Sequence, residues 1–220
     1  MASVARSSFD KNCQDVDRLL AIHRDLTGTL PGRRRQVEVL NKSAIILLTA
    51  FWEAYCEDIA AEGLARLVSG APDSRALPKE LQKKVAKSLK EHANELAVWD
   101  LADQGWRTVL TSRLAQLQQD RNRRLNTPKS DLIDALFLET LGIDRISGRW
   151  FWRGMSAAQA RDKLDKYVTL RGEVAHRGAA ASSVKKTHVT DYYEHVKKLV
   201  GRTGGRVNAV VKRATGSGLW

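Results

Sequence analysis

Apolar residues recur along this chain at steps of three, four and seven, and nowhere in sustained alternation. The pattern therefore predicts helix after helix and no strand. A first helix is expected from about Ser8 to Leu26, with Phe9, Cys13, Val16, Leu20 and His23 on one stripe. Ser7 or Ser8 offers a cap, and Thr27-Gly28 a stop. Pro31-Gly32 opens a long helix from about Arg33 to Val68. Its middle, Ala44 to Trp52, is apolar nearly all round, as suits the centre of a bundle. Ser69-Gly70-Ala71-Pro72 breaks it. A basic third helix follows from about Leu77 to Asn94, then a short piece around Trp99 and a helix over roughly Gln104 to Arg124. Asn126-Thr127-Pro128 closes that helix, and Ser130 caps a short one that Leu141-Gly142 ends. Ile143 to Gly154 reads as irregular and rich in Trp and Arg. Ser156 caps a helix to about His176, and the last helix starts near Ser182 or Ser183 and runs at least to Val200. Glycines at 201, 204, 205, 216 and 218 mark residues 201–220 as a basic, flexible tail on a single domain of residues 1–200. The fold class is all-α, without internal repeats or an interdomain linker.

One residue breaks the pattern. On the helix that Ser156 opens, Ala160, Leu164, Tyr167 and Val174 keep to one stripe at about 100° per residue. Arg171 lies seven after Leu164 and four after Tyr167, on the same stripe. A guanidinium cannot shed its proton to suit a buried site, so Arg171 calls for an anionic partner, an interface or a cleft. His176 follows five residues later, where the helix meets Gly178, and carries the one side chain whose ordinary pKa lies near neutrality. A fixed cation beside an imidazole suits chemistry on a phosphodiester. The same spacing occurs at Arg18 and His23, but there the histidine is the stripe residue and the arginine faces solvent.

Charge sharpens the picture. Lys and Arg outnumber Asp and Glu, 37 to 25, giving a net charge of +12. This favours a polyanion, nucleic acid ahead of an anionic membrane surface. The basic residues gather at Arg33-Arg34-Arg35, at Lys83, Lys84, Lys87 and Lys90, at Arg121, Arg123 and Arg124, and at Lys185/Lys186 with Lys197/Lys198. Cys13 and Cys56 fall on helical patterns without metal-ligand spacing and read as small core residues of a reducing compartment. The first 20 residues are too polar for a signal peptide, and the longest apolar run is too short to span a membrane, so a cytoplasmic protein is expected. There is no phosphate-binding glycine loop, zinc pattern or nucleophile elbow.

Three segments together resemble the HEPN superfamily of helical bundles, and within it the RiboL-PSP-HEPN group. They are Phe51-Trp52-Glu53-Ala54-Tyr55-Cys56-Glu57-Asp58, Asn126-Thr127-Pro128 leading into Leu141-Gly142-Ile143, and Leu170 to Gly178. The resemblance covers about residues 40 to 200. It implies an antiparallel HEPN-type bundle with extra helices, and a metal-independent endoribonuclease without a cofactor, in which Arg171 and His176 form the active site. Residues five apart on one helix point about 140° apart, so the pair converges only through distortion at the helix end near Gly178 or through a second copy of the motif; the resemblance implies the second, a homodimer whose two-fold axis joins two motifs in one cleft. The setting implied is toxin–antitoxin or phage defence, with an antitoxin or other regulatory protein as partner. One position departs from the family pattern: Gly172 stands where Asn, Asp or His is usual, so a non-catalytic RNA- or protein-binding module is the alternative.

Supporting candidates are Glu173 and Glu53, the latter beside Glu57 and Asp58 on the long helix. Those carboxylates lack the second Glu-x-x-His element of a metal site, and no metal is expected. Arg177, Arg149, Arg153, Lys185 and Lys186 are candidate RNA contacts. Arg145, Arg149 and Arg153 interleave with Trp150 and Trp152 as a stacking surface could, although the tryptophans read first as buried anchors. His188 and His195, seven apart, read as packing or surface residues.

Overall fold

The computed structural model describes residues 2–27, 37–120, 127–177 and 183–220, with the backbone alone at His176 and Arg177. Arg33–Arg35, Arg121, Arg123, Arg124, Asn126 and Gly178 lie outside the described residues. The chain forms α1 (Val4–Thr27), α2 (Glu38–Gly70), α3 (Lys79–Lys90), α4 (Gly105–Gln119), α5 (Ser130–Leu141), α6 (Ala157–Arg177) and α7 (Lys186–Thr215). Short 3-10 turns lie at Ser74–Ala76, Glu95–Leu101 and Ile146–Arg149, and there is no strand among the described residues. The all-α bundle predicted from the apolar periodicity is the observed architecture.

The apolar run at the middle of α2 explains the arrangement. Residues such as Ile45, Leu48, Trp52, Cys56, Ile59 and Leu64 are buried on a broad face of that helix, which packs against α1, α4, α5, α6 and α7. One contiguous core results. Two indoles trapped in it are paired, as a buried donor generally is. The Trp52 indole donates to the Pro128 carbonyl at 3.3 Å, and the Trp150 indole donates to Thr203 Oγ1 at 2.9 Å. The two indoles meet edge to face with centroids 5.7 Å apart. The tryptophans of the irregular segment are therefore anchors: Trp150 is buried, and Trp152 is half-buried against His195.

Three of the element boundaries that differ from expectation have a visible cause, polar in the first two and apolar in the third. The first helix begins at Val4 rather than Ser8. Ser3 Oγ accepts from the Arg6 amide, and Glu62 of α2 accepts the Val4 and Ala5 amides at 3.3 and 3.1 Å, so a carboxylate from a neighbouring helix supplies the cap. The third helix stops at Lys90, because Asn94 instead caps the Glu95–Leu101 turn through the Leu96 amide. The last helix continues to Thr215 through the glycines that had marked a flexible tail. Val200, Thr203, Val207, Val211 and Ala214 extend its buried stripe, and burial of that stripe outweighs about 1 kcal/mol of helix propensity lost per glycine.

Two connections position α6. Asp165 on α6 accepts from both the amide and the hydroxyl of Ser130, at 2.8 Å each, and so caps α5 from outside. Gly142 closes α5 in the left-handed conformation (φ 64°) with its amide on the Leu138 carbonyl. Ser156 opens α6 as the sequence suggests: its Oγ accepts the Gln159 amide, and Gln159 Oε1 accepts the Ser156 amide in return.

Candidate functional site

The stripe that α6 turns toward the core holds Ala160, Leu164, Tyr167 and Val174, all buried, as the spacing requires. Arg171 takes its place among them. The side chain is half-buried and its Nε atom is buried with no hydrogen bond among the described residues. Such a donor costs free energy unless something accepts from it (about 1–3 kcal/mol). α2 and α7 flank the guanidinium, and Glu53 of α2 and Tyr192 of α7 are both close enough to feel its charge. Tyr192 is itself fixed: its ring stacks on Tyr167 at 4.4 Å, and its hydroxyl lies 3.1 Å from Thr49 Oγ1.

Glu53 answers to this environment. Burial pushes its carboxyl up to about 7, the buried Glu57 carboxylate pushes the same way, and Arg171 opposes both. The carboxyl therefore keeps its proton to a much higher pH than a free glutamate does. Because the folded-state pKa lies above that of free glutamate, the associated stability is whole below about pH 4.5 and lost as pH rises through about 7. Glu53→Gln is expected to raise Tm near pH 8 and to change it little near pH 4. The gain is on the order of 1 kcal/mol once solvent screening of a half-exposed group is allowed for. Thermal unfolding across that range checks this, and a pH-independent difference would contradict it.

The remaining candidates are dispersed. The side chains of His176 and Arg177 lie outside the described residues, although the α6 backbone runs through both. Glu173, two residues and about 200° around the helix from Arg171, lines a groove of about 910 Å³ between α6 and α7 with Tyr167, Leu170, His188 and Asp191. Lys163 and Tyr167 bind Asp191 across that groove at 2.6 and 2.8 Å and hold its carboxyl below the ordinary range, against its burial. Lys185 and Lys186 stand at the start of α7, where Glu38 accepts the Val184 amide and Asn41 donates to the Val184 carbonyl. Arg149 and Arg153 are exposed, and Arg149 lines a separate hollow on α7. The structure thus brings Glu53 to Arg171 and leaves Glu173, Arg149, Arg153, Lys185 and Lys186 elsewhere. Sequence reasoning missed Tyr192, whose part depends on the α6–α7 contact.

The second Arg/His pair behaves as its pattern implied: His23 is buried on the α1 stripe and Arg18 is exposed. His195 is a packing residue. Its Nε2 lies 3.0 Å from the Ala160 carbonyl, and burial lowers its pKa to about 4, so it carries no charge at neutral pH. Both cysteines are free and buried. Among the described residues no three His, Cys, Asp or Glu gather as metal ligands would, and no helix is long and apolar enough to cross a membrane.

Gly172 adds one further fact. A Cβ built at this position meets nothing within 4 Å, so packing does not require glycine there. A polar side chain would have had room.

Comparison with known families matches RiboL-PSP-HEPN to residues 9–206. Nothing among curated proteins or solved structures matches the chain.

Proposed function

The chain belongs to the RiboL-PSP-HEPN family, and on that premise we propose that it is a metal-independent endoribonuclease. HEPN domains are RNase or nucleotide-binding modules, and they often bind RNA and dimerise. The observation that carries the finer reading is Arg171: an arginine on a core stripe, with a buried and unsatisfied Nε, five residues before a histidine on the same helix. A donor left open in this way is ready for an anionic oxygen that arrives with a substrate.

In this reading Arg171 holds the non-bridging phosphoryl oxygens and stabilises the charge that grows on them. His176 takes the proton from the ribose 2′-OH, or gives one to the departing 5′ oxygen. Attack of the 2′ oxygen on phosphorus breaks the bond to the 5′ oxygen and leaves a 2′,3′-cyclic phosphate and a 5′-OH. DNA, which lacks the 2′-OH, is not a substrate. Glu53, poised near neutrality beside Arg171, positions the guanidinium and sets how much negative charge it meets before RNA binds. Arg177, Arg153, Lys185 and Lys186 are proposed phosphate contacts along the RNA, and Glu173 a supporting residue beside the motif. Toxin–antitoxin or phage-defence work, with a regulatory protein partner, is the biological role that goes with this chemistry.

Incubation of pure protein with mixed cellular RNA in EDTA tests the proposal. Cleavage with cyclic-phosphate ends is the expected result, and intact RNA would reject it. Because Arg171 and His176 are about 140° apart on a regular helix, this reading closes the site with a second copy rather than by distortion at the end of α6. Light scattering in the micromolar range should therefore give a dimer mass, and a mass near the 24.6 kDa of one chain would count against the composite cleft. The open space beside Gly172 favours a second reading. A chain that has given up a polar side chain with room to spare fits a module that binds RNA or a protein through this groove without cutting.

A further inference from the structure

A second cationic site lies on α7. Trp150 is pinned inside by its bond to Thr203, so its neighbours in the chain, Arg149 and Phe151, turn outward on either side of it. There they line a hollow of about 310 Å³ with Gly201, Arg202, Gly205 and Arg206 of α7. None of the three arginines forms an ion pair among the described residues, although surface arginines elsewhere in the chain find carboxylates, as Arg6 does with Asp10. Arg206 also meets like charge there: partial burial, then the charges of Arg149 and Arg213, hold it below its ordinary pKa. Phe151 is half exposed, with the Arg202 guanidinium 5.7 Å from its ring centre.

The floor of this hollow is equally informative. Glycine inside a helix costs about 1 kcal/mol against alanine, and Gly201 and Gly205 have no packing reason to be there. A Cβ at either would stand in open space. Gly204 differs, since a Cβ there would come within 2.6 Å of the Tyr55 hydroxyl. The two outward glycines keep the hollow clear between unpaired guanidinium groups and an exposed aromatic ring. Planar guanidinium groups suit phosphate, and a bare ring suits a base.

We infer that this hollow is a second RNA-binding site, in which Arg149, Arg202 and Arg206 hold the backbone of a single strand and Phe151 stacks on one of its bases. The inference rests on the reading of this chain as an RNA-acting protein and deepens it. Arg202 lies ten residues along α7 from Tyr192, the neighbour of Arg171, which is about 15 Å along the axis. A strand held here is tethered apart from the scissile phosphate, so the site contributes to affinity rather than to chemistry.

The test uses the full chain and a fluorescent single-stranded 2′-O-methyl oligoribonucleotide, which cannot be cleaved. Arg149→Gln/Arg202→Gln/Arg206→Gln is expected to weaken binding at least about tenfold at physiological salt, and to make the slope of log K against log salt shallower by about 2. Phe151→Ala should weaken it about fivefold or more with the slope unchanged. Gly205→Leu, which fills the floor without touching charge, should also weaken it. Unchanged affinity and slope in the triple variant overturn the inference, as does a wild-type chain that binds no RNA. Tight binding of polyglutamate with no effect of Phe151→Ala on RNA overturns it too, because the surface would then serve an acidic protein. The two readings fail separately. EDTA-resistant cleavage with an unaltered salt slope sinks only this site, whereas a shallower slope in a chain that never cuts supports it and sinks the catalytic reading.

Discussion

His176→Ala is expected to abolish EDTA-resistant cleavage of RNA without disturbing the fold. The residue stands next to the last position of α6. Its loss removes the one group on the motif that can move a proton near neutral pH. Arg171→Ala should cost roughly 10²–10³ in rate, the usual loss for one group that stabilises transition-state charge. It should also push the Glu53 carboxyl above about 7, since Arg171 is the influence holding it down. Initial rates on a defined RNA, with circular dichroism to confirm folding, make the measurement. Arg18→Ala and His23→Ala repeat the five-residue spacing and are expected to keep full activity in whatever fraction folds. Equal cleavage by all four variants would reject the site. A wild type that binds RNA but never cuts would hand the case to the binding-module reading.

The largest effect on stability is expected at Gly142. Any L side chain there is strained by the positive φ (64°), a conformation that costs roughly 1–2 kcal/mol outside glycine. Space makes it worse. A Cβ would stand 2.4 Å from the Leu81 backbone nitrogen, and backbone cannot swing aside as a flexible side chain can. Leu81 is fully buried on α3, so relief means parting α3 from α5. Gly142→Ala should therefore cost about 3 kcal/mol or more, adding the overpacking penalty to the backbone strain. Urea denaturation gives the figure. Gly148→Ala, whose Cβ would meet nothing within 4 Å, is the control and should be close to neutral. A loss under about 1 kcal/mol at Gly142 would show that the α3–α5 contact yields easily.

Much of this molecule was legible before its structure. The all-α class followed from the apolar periodicity, and the central place of α2 followed from a run apolar on every side. The misfit of Arg171 was readable because period 3.6 puts it among Leu164, Tyr167 and Val174, and the fold keeps it there. What stayed hidden depends on long-range partners. Glu62 caps α1 from 57 and 58 residues away, so no local pattern could have moved the start from Ser8 to Val4. Gly142 was readable as a helix stop, but its closeness to Leu81 was not. The glycines of α7 misled because glycine is scored as a breaker unless its face is known. Gly204 is needed for close packing on Tyr55, while Gly201 and Gly205 face outward. Arg202 and Arg206, four apart on that helix, were passed over for the same reason.

Arg171 also bears on how such a chain can change over generations. A guanidinium seated among Leu164, Tyr167 and Val174, with its Nε unsatisfied, is expected to leave the folded state no stronger than leucine would, since replacing buried charge by well-packed apolar volume is often neutral or stabilising. Drift toward stability at this position therefore runs opposite to drift toward activity. A lineage released from the need for this arginine has a short downhill route to a sturdier and silent protein. A lineage that keeps it carries a standing burden in its core, which the rest of α2 and its neighbours must be stable enough to bear.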